Sequence, residues 1–135
     1  MRFLSTNLHG FLDYIIAAFL IALPWLTNTY HIGGPVVWLP LFFGIALVIY
    51  SVLTDYEWGV FPMINLRTHI TFDFLIGATL LFSVLYFGFY AYQLWWPHVA
   101  LSLLLIALAL LTRRHPLEDT PHRPASHPPH QTDLS

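Results

Sequence analysis

Hydrophobic residues in this chain gather into four nearly unbroken stretches, about Leu8 to Leu26, Val37 to Leu53, Ile70 to Phe87 and Pro97 to Leu111, joined by short polar connections. Each is close to the ~20 residues that an α-helix needs to cross ~30 Å of hydrocarbon. The pattern therefore predicts an all-α, polytopic membrane protein with four transmembrane helices. Trp38 stands at the start of the second stretch and Trp95 and Trp96 just before the fourth, the two shortest, where indole rings suit the headgroup level. Pro40 and Pro97 are expected in the first turns of those helices, where the absent N–H has no intrahelical partner to lose.

Polar residues interrupt the pattern at matched points. His9, Asp13 and Tyr14 open the first stretch and His69, Asp73 and Phe74 open the third, and the same register sets Ala17 on Gly77 and Ala18 on Ala78 without a gap. Further on, Trp38, Leu39 and Pro40 align with Trp95, Trp96 and Pro97, and Leu53 and Thr54 with Leu111 and Thr112. The series reads as two tandem two-helix hairpins, residues 1–56 and 57–112, followed by a tail over 113–135. Units with an even number of helices enter a membrane in the same sense, so a pseudo-two-fold axis along the membrane normal is expected to relate them. Ala17, Ala18, Gly77 and Ala78 are then expected to let the first and third helices approach closely.

Composition narrows the function classes. At 57% hydrophobic and 9% charged, the chain departs from the ~25% charged share of soluble domains. Lysine is absent and the formal net charge is -2, which leaves no basic surface for nucleic acid. The absence of cysteine excludes disulfides, thiol nucleophiles and cysteine-ligated metals. The five arginines, Arg2, Arg67, Arg113, Arg114 and Arg123, all fall on one side of the expected topology. The positive-inside rule therefore predicts that both termini and the Asp55 to Thr68 loop are cytoplasmic. The first stretch does not read as a cleaved secretion signal, because Asp13 interrupts it and Leu23, Pro24, Trp25 and Leu26 offer no small-residue cleavage site. It is expected to remain as a helix.

Aromatic residues mark both expected interfaces: Trp25, Tyr30, Trp38, Tyr90, Tyr92, Trp95 and Trp96 outside, Tyr50, Tyr56 and Trp58 inside. All are read as anchors. After Thr112 the chain turns polar and proline-rich, and this tail is expected to be disordered. It holds His115, His122, His127 and His130, whose spacing does not organise a metal site.

Over residues 5 to 112 the chain resembles the SPW repeat family, small bacterial membrane proteins built from one or two copies of a two-helix unit. The Ser-Pro-Trp motif that names the family lies near the end of the first helix of each unit. Here the first copy reads Leu23, Pro24, Trp25 and the second Ser83, Val84, Leu85, so each keeps part of it. The resemblance implies the fold and the location and carries no biochemical activity.

Residues four apart share a helix face, so His9 can meet Asp13 and His69 can meet Asp73. An isolated charge in hydrocarbon costs roughly 2.5 to 3.5 kcal/mol on insertion scales, which makes such pairs informative. Three roles fit a cluster of His9, Asp13, His69 and Asp73: a structural polar cluster or cytoplasmic-interface anchor, a proton or ion relay, and a metal or haem site. The structural role is favoured, because a relay lacks ionisable groups further along either helix and a metal site needs His9 and His69 to be close. His98 is a secondary candidate, expected as an interfacial histidine, and Asp55 and Glu57 are expected to pair with Arg67, Arg113 or Arg114. No nucleophile and base stand at readable spacing and no phosphate-binding glycine loop is present, so no enzyme activity and no cofactor are expected. The expected partners are the lipid bilayer and a second copy or another membrane protein.

Overall fold

A computed structural model of the chain describes residues 4–88 and 95–112. These form four α-helices, α1 Thr6–Leu26, α2 Pro35–Val52, α3 Leu66–Tyr86 and α4 Trp95–Leu111. The expectations for the tail, with its four histidines, and for Tyr90 and Tyr92 lie outside the described residues.

Polar caps fix where α1 and α3 begin. The side chain of Ser5 accepts a hydrogen bond from Leu8 N at 3.3 Å, and that of Asn65 accepts from Thr68 N at 2.9 Å, each satisfying a free N–H of a first turn. His9 and His69 therefore both stand four residues after a cap. At α2, Gly34 adopts the left-handed φ of 70° and Pro35 supplies the pre-set φ of a first helical position. Consequently α2 starts earlier than expected, and Pro40 lies inside it rather than in its first turn. Pro97 does lie in the first turn of α4.

The three helices α1, α2 and α3 are long and apolar enough to cross a membrane, and α4 is a shorter apolar helix of 17 residues. Their outward faces carry Phe11, Phe19, Phe42, Phe74, Phe82 and Leu103, whereas the buried set includes His9, Asp13, His69, Asp73, His98 and Ser102. Apolar side chains outside and ionisable ones inside are compatible with a lipid surround and invert the usual soluble pattern.

Helix α1 packs chiefly on α2, and α3 on α4. Ile16, Leu20, Leu47, Ile76, Leu80 and Leu105 form the core where the two pairs meet. The small residues act within each pair, which corrects the expectation that they join α1 to α3. A Cβ on Gly44 of α2 would stand 3.0 Å from the Ala17 carbonyl oxygen, and a Cβ on Gly77 of α3 would stand 2.9 Å from that of Ser102 on α4. Ala18 is exposed and Ala78 half-exposed, so neither makes the expected buried contact. Small side chains permit close backbone approach wherever two helices actually cross, and these crossings lie within the pairs.

Gly44→Val and Gly77→Val are each expected to destabilise the protein by about 1–3 kcal/mol through overpacking. Ala18→Val, on the outer face, should stay within about 0.5 kcal/mol. Unfolding midpoints in detergent, measured by circular dichroism against added denaturant, check the contrast.

Candidate metal centre

Helical periodicity places His9 and Asp13 on the buried face of α1, and His69 and Asp73 on that of α3. The two faces meet, and all four side chains are fully buried. The within-helix contacts are 3.3 Å for His9 Nε2 to Asp13 Oδ2 and 3.3 Å for His69 Nε2 to Asp73 Oδ2. The contacts between helices are shorter, at 3.0 Å for His9 Nε2 to Asp73 Oδ2 and 2.9 Å for His69 Nε2 to Asp13 Oδ2. Nitrogen and oxygen thus alternate around a closed ring of four atoms. Sequence spacing accounts for the first two contacts, and only the packing of α1 against α3 creates the others.

The outer nitrogen of each histidine is held by a threonine from the end of another helix. His9 Nδ1 lies 2.7 Å from Thr112 Oγ1, following α4, and His69 Nδ1 lies 2.7 Å from Thr54 Oγ1, following α2. Each threonine hydroxyl also donates at 2.6 Å to the carbonyl four residues earlier, Leu108 O and Tyr50 O respectively. A carbonyl can only accept, so each hydroxyl proton is committed to it and Oγ1 must accept from the histidine. Both rings therefore carry a proton on Nδ1 and turn Nε2 toward the carboxylates.

Short backbone pairings hold the threonines in place. Thr54 bridges to Ile64, just before α3, and Thr112 bridges to Leu4, just before α1. The chain between α2 and α3 then folds back over the start of α1: Trp58 Nε1 donates to Asn7 Oδ1 at 2.8 Å, and Tyr14 donates to Trp58 O at 3.0 Å.

Two tyrosines complete the surroundings. Tyr50 of α2 donates to Asp73 Oδ1, and Tyr56 of the following loop reaches Asp13 Oδ2 at 3.4 Å. Burial pushes the Tyr56 phenol above its ordinary range, so it remains a donor. Tyr50 is buried, which corrects its expected place as an interfacial anchor. Asp73 Oδ1 thus has a phenol partner, whereas Asp13 Oδ1 has no hydrogen-bond partner among the described residues.

The ring is only partly satisfied as hydrogen bonds. His69 Nε2 meets Asp13 Oδ2 in hydrogen-bond geometry. His9 Nε2 and Asp73 Oδ2, although 3.0 Å apart, lie outside directed hydrogen-bond geometry. Two buried polar atoms this close, yet not directed at one another, have the relation of neighbouring ligands around a common centre. Regular tetrahedral coordination with bonds of about 2.0–2.1 Å places ligand atoms about 3.3–3.4 Å apart, close to the observed edges. All four candidate ligand atoms lie within 4.8 Å of one another, and the group can bind a metal ion.

The secondary candidates lie elsewhere. His98 is fully buried in the first turn of α4, with its carbonyl accepting from the Ser102 hydroxyl, rather than exposed at an interface. Asp55 and Glu57 are exposed on the loop after α2, and Glu57 accepts from Thr6 Oγ1 at 2.6 Å. Arg67 lines the same cavity as both acids, while Arg113 and Arg114 are outside the described residues.

Sequence reasoning did not assign Thr54, Thr112, Tyr50 or Tyr56 to the site. The threonines carried a signal, since Leu53 and Thr54 align with Leu111 and Thr112. The tyrosines carried none, because neither recurs at the aligned position. Thr54→Val and Thr112→Val, which keep shape and remove the acceptor, should each cost about 1–3 kcal/mol by stranding a buried Nδ1–H. Thr71→Val, which removes an exposed hydroxyl bonded only to its own helix, is the control and should change stability by less than about 0.5 kcal/mol. Equilibrium unfolding in detergent distinguishes the two responses. No protein family, curated protein or solved structure matches the chain.

Proposed function

We propose that this is a structural membrane protein stapled by a divalent transition-metal ion, with His9, Asp13, His69 and Asp73 as its ligands. The carrying observation is the close but undirected pair of His9 Nε2 and Asp73 Oδ2 inside a fully buried ring. Three further features support it. Both histidines present Nε2 to the centre while Nδ1–H is held by a threonine, the outer-shell arrangement that orients metal-bound imidazole. The donor set of two imidazoles and two carboxylates, without sulfur, suits zinc, nickel or copper(II) rather than copper(I). A dication also offsets two carboxylate charges in a region where uncompensated charge is costly.

The proposed architecture is four membrane spans in two tandem hairpins, a divergent duplication in which each copy ends on the threonine that orients the other's histidine. The reciprocal pairs His9 with Thr112 and His69 with Thr54 support that reading. We place the protein in a bacterial plasma membrane with the arginine-bearing ends cytoplasmic, in keeping with the positive-inside rule and with the resemblance to the SPW repeat. Four protein ligands in a closed shell fit a structural metal rather than a catalytic one, which keeps a position open. We therefore propose no enzymatic activity, and an assembly role with a second copy or another membrane protein remains the wider function.

Untagged protein purified in detergent should retain about one equivalent of metal more than the Asp13→Ala, Asp73→Ala double variant, measured by mass spectrometry of the elements. Comparing full-length chains cancels any contribution from the tail histidines. Thr54→Val should keep the stoichiometry and weaken affinity about 10–100-fold, as loss of an outer-shell partner does. Equal metal content in the wild type and the double variant would leave a purely structural His–Asp cluster as the function.

A further inference from the structure

One cavity of about 490 Å³ is unexplained by the staple. Its lining includes Thr6, Asp55, Tyr56, Glu57, Leu66 and Arg67. Thr6 and Leu66 stand three residues before His9 and His69, so the floor lies about 4.5 Å along each helix axis from the two histidines. Of the side chains hydrogen-bonded to the ring residues among the described residues, Tyr50, Thr54 and Thr112 are buried, while Tyr56 is half-exposed. Tyr56 therefore separates the two spaces: it lines the cavity, its ring centroid is 5.2 Å from that of His69, and its hydroxyl reaches Asp13.

Resting on the metal reading, we infer that the ion reaches the buried ring from this cavity, collected by Asp55 and Glu57 and admitted by displacement of the Tyr56 ring. Among the described residues lining the cavity, the two exposed carboxylates outnumber the single arginine, Arg67, and a local excess of negative charge raises the cation concentration at a mouth. The ring of Tyr56 is seated on α1 because residue 10 is glycine: a Cβ there would stand 2.4 Å from Tyr56 Cε2 and 2.9 Å from Trp58 Cδ1. Both are side-chain atoms, so an added methyl displaces the aromatic rings without altering any ring ligand.

The test is the rate of cobalt(II) uptake by metal-free full-length protein in detergent, read from the visible absorption of the bound ion, and its removal by a water-soluble chelator. Gly10→Ala should speed both uptake and removal by about tenfold while one equivalent still binds. Asp55→Asn combined with Glu57→Gln should slow uptake several-fold at low ionic strength, leave removal unchanged and lose the difference at high salt. Tyr56→Phe, which keeps the ring and removes the hydroxyl, should leave uptake close to wild type. Wild-type protein that binds no cobalt at equilibrium would overturn the metal reading itself. Binding at one equivalent, with the acidic double variant taking up metal at the wild-type rate at low salt, would overturn this route alone, whether or not Gly10→Ala folds.

Discussion

Two carboxylates buried among apolar helices must be neutralised where they stand, and the rest of this fold follows from that requirement. Asp13 and Asp73 are fully buried, and each lies near both histidine Nε2 atoms rather than only the one on its own helix. A pair closed within one helix would leave α1 and α3 electrostatically independent. The crossed contacts instead tie α1 to α3, joining two helix pairs that otherwise pack mainly within themselves. Removing one member of such a set leaves an uncompensated buried charge, which is why the set behaves as a unit.

The four residues need orientation as well as proximity, and that comes from helix ends. Caps at Ser5 and Asn65 set where α1 and α3 begin, and the bridges of Leu4 with Thr112 and Ile64 with Thr54 bring the hydroxyls beside the histidines. Each threonine commits its own proton to a carbonyl and so fixes the ring proton on Nδ1. A weak local feature, a threonine within two residues of a helix end, thereby determines which nitrogen faces the centre. The residues just outside the apolar stretches carry as much of the site as those within them.

Much of this was legible in the sequence because helical periodicity is a local property. The apolar stretches predicted the helices to within a few residues, and the i,i+4 spacing with its repeat singled out the four ring residues. Pro40 misled because the stronger start signal, Gly34 followed by Pro35, lies just outside the apolar run. Ala17 and Gly77 misled in a different way: small residues indicate a close crossing without naming the partner, and here the partners are α2 and α4. Tyr50 and Tyr56 were hidden because amphipathic tyrosines near helix ends look like interfacial anchors, and only tertiary packing turns their hydroxyls toward Asp73 and Asp13.

The buried ring can reach neutrality in two ways, and the metal reading connects them. With both Nδ1 atoms already protonated, a further proton on each Nε2 gives two imidazolium ions against two carboxylates. One divalent cation bound through the same Nε2 atoms and carboxylate oxygens gives the same net charge. Exchange of the ion for two protons therefore moves no net charge into or out of the low-dielectric interior, where a change of even one unit is costly. In the ring as it stands, His69 Nε2 is directed at Asp13 Oδ2 as a hydrogen bond, whereas His9 Nε2 and Asp73 Oδ2 are close without a directed one. On the proposed metal reading, exchange of the ion for two protons would leave the net charge buried between α1 and α3 unchanged.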